Sequence, residues 1–242
     1  MKTGNSYKFN VEPQDVDFTL RSTITALCNN VLNIAGVDAR RNGFGVDELM
    51  KNNWSWVLSR MAVELDRMPE QFTGYSIRTW VNYDGRLLSS RNFVLTDDSG
   101  EVFGRVVTQW AMINFETRRP VDLTQLAANY TDVLSDEQSP CERPHKLTAV
   151  APEQTFEHRI VYSDIDFNRH VNTMRYLDMM VDMLPIETFA EPRPVRMDLH
   201  FIKESVYGQT LTVGLQRQEN VSLFEIKSDD GAVVCRASFE WK

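Results

Sequence analysis

Two stretches of the chain place apolar residues at the three- and four-residue spacing of an amphipathic helix. The first runs until Gly36, which we interpret as its stop, and the second runs until Pro185. The apolar positions are Leu20, Ile24, Leu27, Val31 and Ile34 in the first stretch and Met174, Leu177, Val181 and Leu184 in the second. After each stretch, short apolar runs alternate with turns such as DDSG and SDDG, which is typical of antiparallel strands.

The two stretches belong to an internal repeat. DVDF at residues 15–18 matches DIDF at residues 164–167, an offset of 149. Further along, RM at residues 60–61 lies over RM at residues 196–197, an offset of 136, and GEVFGRVVTQW lies over GAVVCRASFEW at an offset of 131. Three matches in the same order indicate a duplicated unit. The shrinking offset places extra residues in the first copy.

The duplication predicts an α+β protein of two units, each with a long helix wrapped by a curved antiparallel β-sheet. We assign residues 1–120 to the N-terminal unit and residues 156–242 to the C-terminal unit. Residues 121–155 are polar and rich in proline, so we expect a linker between the units. The linker has room for one short helix near residues 123–130.

The composition narrows the class of protein. Of the 242 residues, 42% are hydrophobic and 25% are charged, and the net charge of −8 argues against general nucleic-acid binding. We expect no membrane span and no signal or transit segment, because no run of the required apolar length occurs. Cys28, Cys141 and Cys235 lie far apart without a C-x-x-C spacing, so we expect neither disulfides nor a zinc site. A reducing cytoplasm is the predicted location.

The segment DIDFNRH, residues 164–170, gathers polar side chains just before the second helix. Its alternate positions are Asp164, Asp166, Asn168 and His170. A calcium loop is excluded, because the turn position holds Arg169 and the position of the bidentate glutamate holds Arg175. Helix capping explains an asparagine here without chemistry. Capping and a reaction site therefore remain as the two interpretations.

The repeat separates residues that serve the fold from residues that belong to one copy. Asn168 and His170 replace a threonine and an arginine of the first copy, and Glu204 replaces Met68. The D-x-D-F segment is common to both copies, so we interpret it as shared scaffold. Because a duplication leaves one copy free to keep the chemistry, we expect the site to lie in the second copy.

The chain resembles the plant- and bacterial-type acyl-acyl-carrier-protein thioesterases, which have a tandem hotdog fold. In the first half, NGFGVDELMKNNWSWVLSRMAVELDRMP and TQWAMINFETRRP resemble characteristic segments of that family. In the second half, DIDFNRHVNTMRYLD resembles its D-x-N-x-H-V-N-x-x-x-Y signature, and HFIKES resembles the segment with its glutamate, 34 residues beyond the histidine. The resemblance covers nearly the whole chain.

The resemblance implies hydrolysis of fatty acyl-acyl carrier protein, releasing free fatty acid, with no cofactor and no metal. It implies catalytic roles for four residues: Asp166, Asn168, His170 and Glu204. The plant enzymes have a cysteine after the glutamate, whereas this chain has Ser205, so a cysteine nucleophile at that position is excluded. We expect direct attack by water, with Asp166 or Glu204 as the base and backbone N–H groups of residues 171–173 stabilising the oxyanion.

A fatty acyl chain needs a long apolar slot, and we expect the first copy to supply it. The candidate lining residues are Leu27, Val31, Ile34, Trp54, Trp56 and Met61. The acyl carrier protein that the resemblance implies as a partner is strongly acidic, so basic residues are candidates for its docking. We select Arg118, Arg119 and Lys203. Because the tandem copies can pair within one chain, we expect a monomer or a homodimer.

Three alternatives stay open. A hotdog thioesterase acting on coenzyme A esters is the second enzyme interpretation, and a hotdog hydratase is another. A non-catalytic acyl-binding tandem hotdog is the interpretation without enzyme activity. It predicts a degenerate motif in the second copy, whereas all four residues of that motif are present.

Overall fold

A computed structural model describes residues 4–242, apart from the side chain of Gln125. The chain forms two compact units, of which the first ends at Pro144 and the second runs from His145 to Lys242. The residues assigned to the linker divide between them, since residues 121–144 belong to the first unit and residues 145–155 to the second. None of the helices formed by residues 4–242 has the length and apolar character needed to cross a bilayer.

The first unit contains a five-stranded antiparallel sheet and one long helix. Its elements are β1 (Asn5–Asn10), α1 (Ile24–Arg41), α2 (Val46–Leu49), β2 (Trp54–Leu65), β3 (Gly74–Tyr83), β4 (Ser89–Asp97), β5 (Val102–Asn114) and α3 (Thr124–Asn129). The strand order is β1-β3-β4-β5-β2, with every pair antiparallel. The helix α1 packs against β3, and its face with Leu27, Val31 and Ile34 is buried. The short helix predicted near residues 123–130 is α3.

The second unit repeats this arrangement with fewer residues. Its elements are β6 (Gln154–Arg159), α4 (Thr173–Val181), β7 (Val195–Phe201), β8 (Thr210–Gln218), β9 (Val221–Ser228) and β10 (Val233–Trp241). The strand order β6-β8-β9-β10-β7 is that of the first unit, again with antiparallel pairs. The prediction of two units that each combine a helix with an antiparallel sheet is confirmed. The turns DDSG and SDDG join β4 to β5 and β9 to β10.

The predicted stop of the first helix at Gly36 is wrong. The helix α1 begins after Thr23, whose Oγ1 accepts the Ala26 N–H at 3.1 Å, and continues to Arg41. Gly36 lies on its exposed face, while Asp38 and Ala39 continue the buried face beyond it. A single glycine costs a helix about 1 kcal/mol, which continued packing of the buried face offsets. Leu20, assigned to the helical pattern, lies before the helix and is exposed.

Candidate active site

A tight loop precedes α4 and contains the polar motif. The Asp166 N–H donates to the His170 carbonyl at 2.8 Å, and the Asp166 Oδ1 accepts the N–H groups of Asn168 at 2.8 Å and His170 at 3.2 Å. Arg169 adopts a left-handed φ of 64° within the turn. The Asp166 side chain therefore fixes the backbone that presents Asn168 and His170.

The loop is fastened to the segment that follows β7. The Val171 N–H donates to the Ser205 carbonyl at 2.9 Å, and His170 forms an antiparallel bridge with Val206. These contacts bring the His170 Nε2 to 3.4 Å from the Glu204 Oε2. Both side chains are about one-third exposed, so water can reach them. The structure thus brings together two predicted catalytic residues that are 34 positions apart in sequence.

The first unit has the same loop without the histidine or the glutamate. The Asp17 N–H donates to the Arg21 carbonyl at 3.0 Å, and the Asp17 Oδ1 accepts the Thr19 N–H at 2.8 Å. The Ser22 N–H donates to the Pro69 carbonyl at 2.8 Å, as Val171 does to Ser205 in the second unit. The matching hydrogen bonds establish that Glu204 is the structural counterpart of the residue before Pro69, which is methionine.

The expectation that the N–H groups of residues 171–173 stabilise an oxyanion is wrong for the first two of them. The Val171 N–H is bonded to Ser205, and the Asn172 N–H donates to the Asp164 carbonyl at 2.7 Å. The Asn172 side chain also caps α4 by accepting the Met174 N–H at 2.9 Å. Asn172 therefore serves the fold, and the amide of Asn168, which lies exposed in the loop, remains a candidate contact for the carbonyl oxygen.

Asp164, the first carboxylate of the motif, is fully buried and belongs to the support of the loop. Its Oδ2 lies 2.8 Å from the His158 Nε2 and accepts the Val161 N–H at 2.9 Å, and its Oδ1 accepts the Arg175 Nε–H at 3.1 Å. Burial alone would raise the pKa of Asp164, but these hydrogen bonds hold that pKa below its ordinary value. No sequence pattern pointed to His158, whose side chain connects β6 to the loop.

Ser205 and the two buried cysteines cannot serve as nucleophiles in this arrangement. The Ser205 side chain is fully buried, directly after the accessible Glu204. Cys28 and Cys235 are also buried, which raises the pKa of the Cys28 thiol to about 12 and raises that of Cys235 as well. A thiol that stays protonated and shielded from water is inert as a nucleophile.

The six residues expected to line an acyl slot take two different positions in the first unit. Leu27, Val31, Ile34 and Met61 are core residues. Trp54 and Trp56 are half-buried and pack against the cluster of Leu49, Met112 and Leu123. Trp56 also lines a cavity of about 30 Å³ with other apolar side chains. Among its other walls are Phe44, Val81, Leu126, Tyr130, Val133 and Leu134. An acyl-binding role for the six residues stays a prediction.

The three basic residues selected for docking differ in their surroundings. Arg118 and Arg119 are exposed in the turn after β5, where Arg118 has a left-handed φ of 56°. The Lys203 Nζ is 2.8 Å from the Asp230 Oδ2, so an acidic partner would have to compete with Asp230 for it.

Both halves of the chain match models of known protein families. Residues 3–130 match the acyl-ACP thioesterase N-terminal domain, and residues 146–242 match the acyl-ACP thioesterase C-terminal domain. The chain belongs to the acyl-ACP thioesterase family. The resemblance seen in the sequence is thereby confirmed over both units.

Relatives in this thioesterase family come from plants and bacteria. The chain is 26% identical over 262 residues to the chloroplastic palmitoyl-acyl carrier protein thioesterase of Gossypium hirsutum, covering 98% of this chain and 63% of the relative. A chloroplastic acyl-[acyl-carrier-protein] hydrolase of Cuphea viscosissima, FATB3, is 26% identical over 219 residues, covering 83% of this chain and 52% of the relative. The chain therefore spans 52% and 63% of the length of these two curated relatives.

Solved structures share the fold over the whole length. The crystal structure of an acyl-ACP thioesterase from Bacteroides thetaiotaomicron is 36% identical and has a TM-score of 0.89, covering 98% of this chain and 97% of that one. The 12:0-ACP thioesterase from Umbellularia californica is 20% identical with a TM-score of 0.87, covering 98% and 96%. The tandem hotdog fold that the resemblance implied is confirmed.

Proposed function

We propose that this chain hydrolyses the thioester of fatty acyl-acyl carrier protein, releasing a free fatty acid and the carrier thiol. Its membership of the acyl-ACP thioesterase family supports this function. The single observation that carries the mechanism is the distance of 3.4 Å between the His170 Nε2 and the Glu204 Oε2 in the second unit. The first unit, with Arg21 and Met68 in the equivalent positions, lacks that pair.

Glu204 is the general base in this proposal. Its carboxylate takes a proton from a water molecule, which attacks the carbonyl carbon of the thioester while the Asn168 amide donates to the carbonyl oxygen. The carbon–sulfur bond then breaks, and the proton passes from Glu204 through His170 to the departing thiolate. The distance of 3.4 Å is longer than a well-formed hydrogen bond, and such contacts in substrate-free sites tighten when substrate binds.

Asp166 has a different task from the base. Its Oδ1 is already committed to two backbone N–H groups of its own loop, and Asp17 makes the corresponding loop contact in the unit without the histidine. We therefore assign Asp166 to loop formation and the proton transfer to Glu204. A buried Ser205 and buried cysteine thiols support attack by water rather than a covalent acyl-enzyme.

The acyl carrier protein, rather than coenzyme A, is the proposed carrier, with Arg118 and Arg119 as its docking residues. The hydrocarbon chain is proposed to bind in the first unit, where Trp54 and Trp56 are half-buried against apolar side chains. The cytoplasm remains the predicted location, and a monomer or homodimer the predicted assembly.

The test compares hydrolysis of one acyl group on carrier protein and on coenzyme A, with free fatty acid identified as the product. We expect a higher kcat/KM for the carrier-bound ester and loss of turnover in His170→Gln. The exposed Glu240→Gln of the same unit serves as the control that keeps activity. A higher kcat/KM for the coenzyme A ester would favour the coenzyme A thioesterase alternative. An unsaturated or hydrated acyl product would favour the hydratase alternative over hydrolysis. Acyl binding without turnover would support the non-catalytic alternative.

A further inference from the structure

Two buried hydroxyl groups lie behind the His170–Glu204 pair. The side chains of Ser205 and Tyr176 are 0% and 5% exposed, and neither oxygen completes a hydrogen bond of good geometry within residues 4–242. The two residues lie on adjoining segments, because Val171, five residues before Tyr176, donates its N–H to the Ser205 carbonyl at 2.9 Å. A buried hydroxyl without a full hydrogen bond costs about 1–3 kcal/mol, so a folded chain keeps such a pair for a reason.

The pair joins the two elements that position the catalytic residues. Tyr176 lies one turn into α4, behind the cap that ends the catalytic loop, and packs on Phe201 at the end of β7. Ser205 directly follows Glu204, and its carbonyl receives the Val171 N–H. A link between these hydroxyls therefore ties the helix to the glutamate segment. Burial raises the pKa of the Tyr176 hydroxyl to about 12, although the interaction with Ser205 lowers it in part. The hydroxyl therefore keeps its proton and can donate a hydrogen bond.

The first unit serves as an internal control for this pair. The counterparts of Tyr176 and Ser205, at the offsets of 149 and 136, are Leu27 and Pro69. The Pro69 carbonyl accepts the Ser22 N–H as the Ser205 carbonyl accepts the Val171 N–H, so the structure supports the equivalence of Pro69 and Ser205 seen in the sequence. An apolar pair fills these places in the unit without the histidine and the glutamate. The fold alone does not need the hydroxyls.

We propose that Tyr176 and Ser205 are positioning residues that fix the carboxylate of Glu204 against His170. The Tyr176 hydroxyl donates to the Ser205 Oγ, and this hydrogen bond closes fully when the thioester binds. Neither hydroxyl contacts the reacting atoms. The inference rests on the proposed function, because it assigns a support to the base named there.

The experiment measures kcat and KM for acyl-acyl carrier protein across pH in four proteins: wild type, Tyr176→Phe, Ser205→Ala and the double variant. The expected result is a kcat lowered roughly tenfold or more in each single variant, since a misplaced catalytic group costs rate more than binding. KM stays within about twofold, and the acidic limb of the pH profile shifts. The double variant is no slower than the slower single variant, because both substitutions break one link.

The control is Tyr75→Phe, which removes a buried hydroxyl of the first unit that accepts the Asn30 Nδ2–H at 2.8 Å. This variant is expected to lose stability and to keep the pH profile. Unchanged kcat and pH profile in both single variants, or fully additive losses in the double variant, would overturn the positioning role while leaving the hydrolase intact. An inactive wild type would overturn the proposed function and this inference together.

Discussion

Asp17 and Asp166 close the same five-residue loop in the two units, and only the second loop ends in a histidine. Each aspartate N–H donates to the carbonyl four residues later, at 3.0 Å in the first loop and 2.8 Å in the second. The residue before that carbonyl is left-handed in both, with φ of 59° at Leu20 and 64° at Arg169. The chain therefore contains one loop with the proposed catalytic residues and one loop without them, which makes matched experiments possible.

Replacing these aspartates with alanine separates folding from catalysis. Asp17→Ala and Asp166→Ala each remove a carboxylate that accepts backbone N–H groups, so we expect each to lower the free energy of unfolding by about 1 kcal/mol. Only Asp166→Ala is expected to lower kcat, because its loop carries Asn168 and His170. Chemical denaturation and steady-state kinetics on the same preparations check this. Equal loss of kcat in both variants would contradict the division of roles between the units.

Acid stability tests the buried Asp164. A carboxylate whose pKa is lowered by folding stabilises the protein fully above its unfolded pKa of about 4, and the contribution is lost as pH falls through the folded pKa. Asp164→Asn should therefore cost roughly 3 kcal/mol at pH 7, as expected when a buried ion pair loses one partner. The difference from wild type should shrink below pH 4.

Chemical unfolding measured from pH 7 to pH 2 gives the loss of unfolding free energy at pH 7 and its decrease below pH 4. The matched control is Asp178→Asn, which removes the half-exposed partner of the same Arg175. A difference between wild type and Asp164→Asn that is independent of pH would contradict the lowered pKa.

Gly36 offers a stabilising substitution in α1. A Cβ at this position would meet no atom within 4 Å, and the residue lies exposed inside an unbroken helix. Gly36→Ala is expected to raise the free energy of unfolding by about 1 kcal/mol, through helix propensity and a less flexible unfolded chain. Thermal unfolding checks the gain. A lower melting temperature would mean that the helix does not continue through residue 36 in solution.

The charges selected for docking are testable by reversal. Arg118→Glu and Arg119→Glu should together raise KM for acyl-acyl carrier protein about tenfold at low salt, with the effect weakening as salt screens the charges. KM for the same acyl group on coenzyme A should stay unchanged. Arg217→Glu, an exposed arginine of the second unit, is the control. An equal rise of KM for both carriers would contradict docking and would show that the substitutions affect binding of the acyl group itself.

The repeat made much of the fold and half of the site predictable. The match of Met68 with Glu204 came from an offset in the sequence, and the hydrogen bonds of Pro69 and Ser205 confirm it. The local sequence pattern predicted the end of the first helix wrongly, because tertiary packing sets that end. The helix α1 continues through Gly36, since its buried face extends to Ala39.

Long-range pairing explains the rest of what the sequence missed. The Val171 N–H is used by Ser205, and no local pattern shows a bond between residues so far apart. Tyr176 is the last residue of the D-x-N-x-H-V-N-x-x-x-Y signature, and the leucine at its repeat position, Leu27, was a usable signal that this residue belongs to the second copy alone.

The most direct test of the central claim is the turnover of acyl-acyl carrier protein by Glu204→Gln. Glutamine keeps the size and hydrogen-bonding capacity of the side chain near His170 but cannot accept the proton of water. A folded variant whose kcat falls at least roughly a hundredfold, with KM little changed, is the expected result. A kcat within about threefold of wild type would show that Glu204 is not the base and would contradict the account.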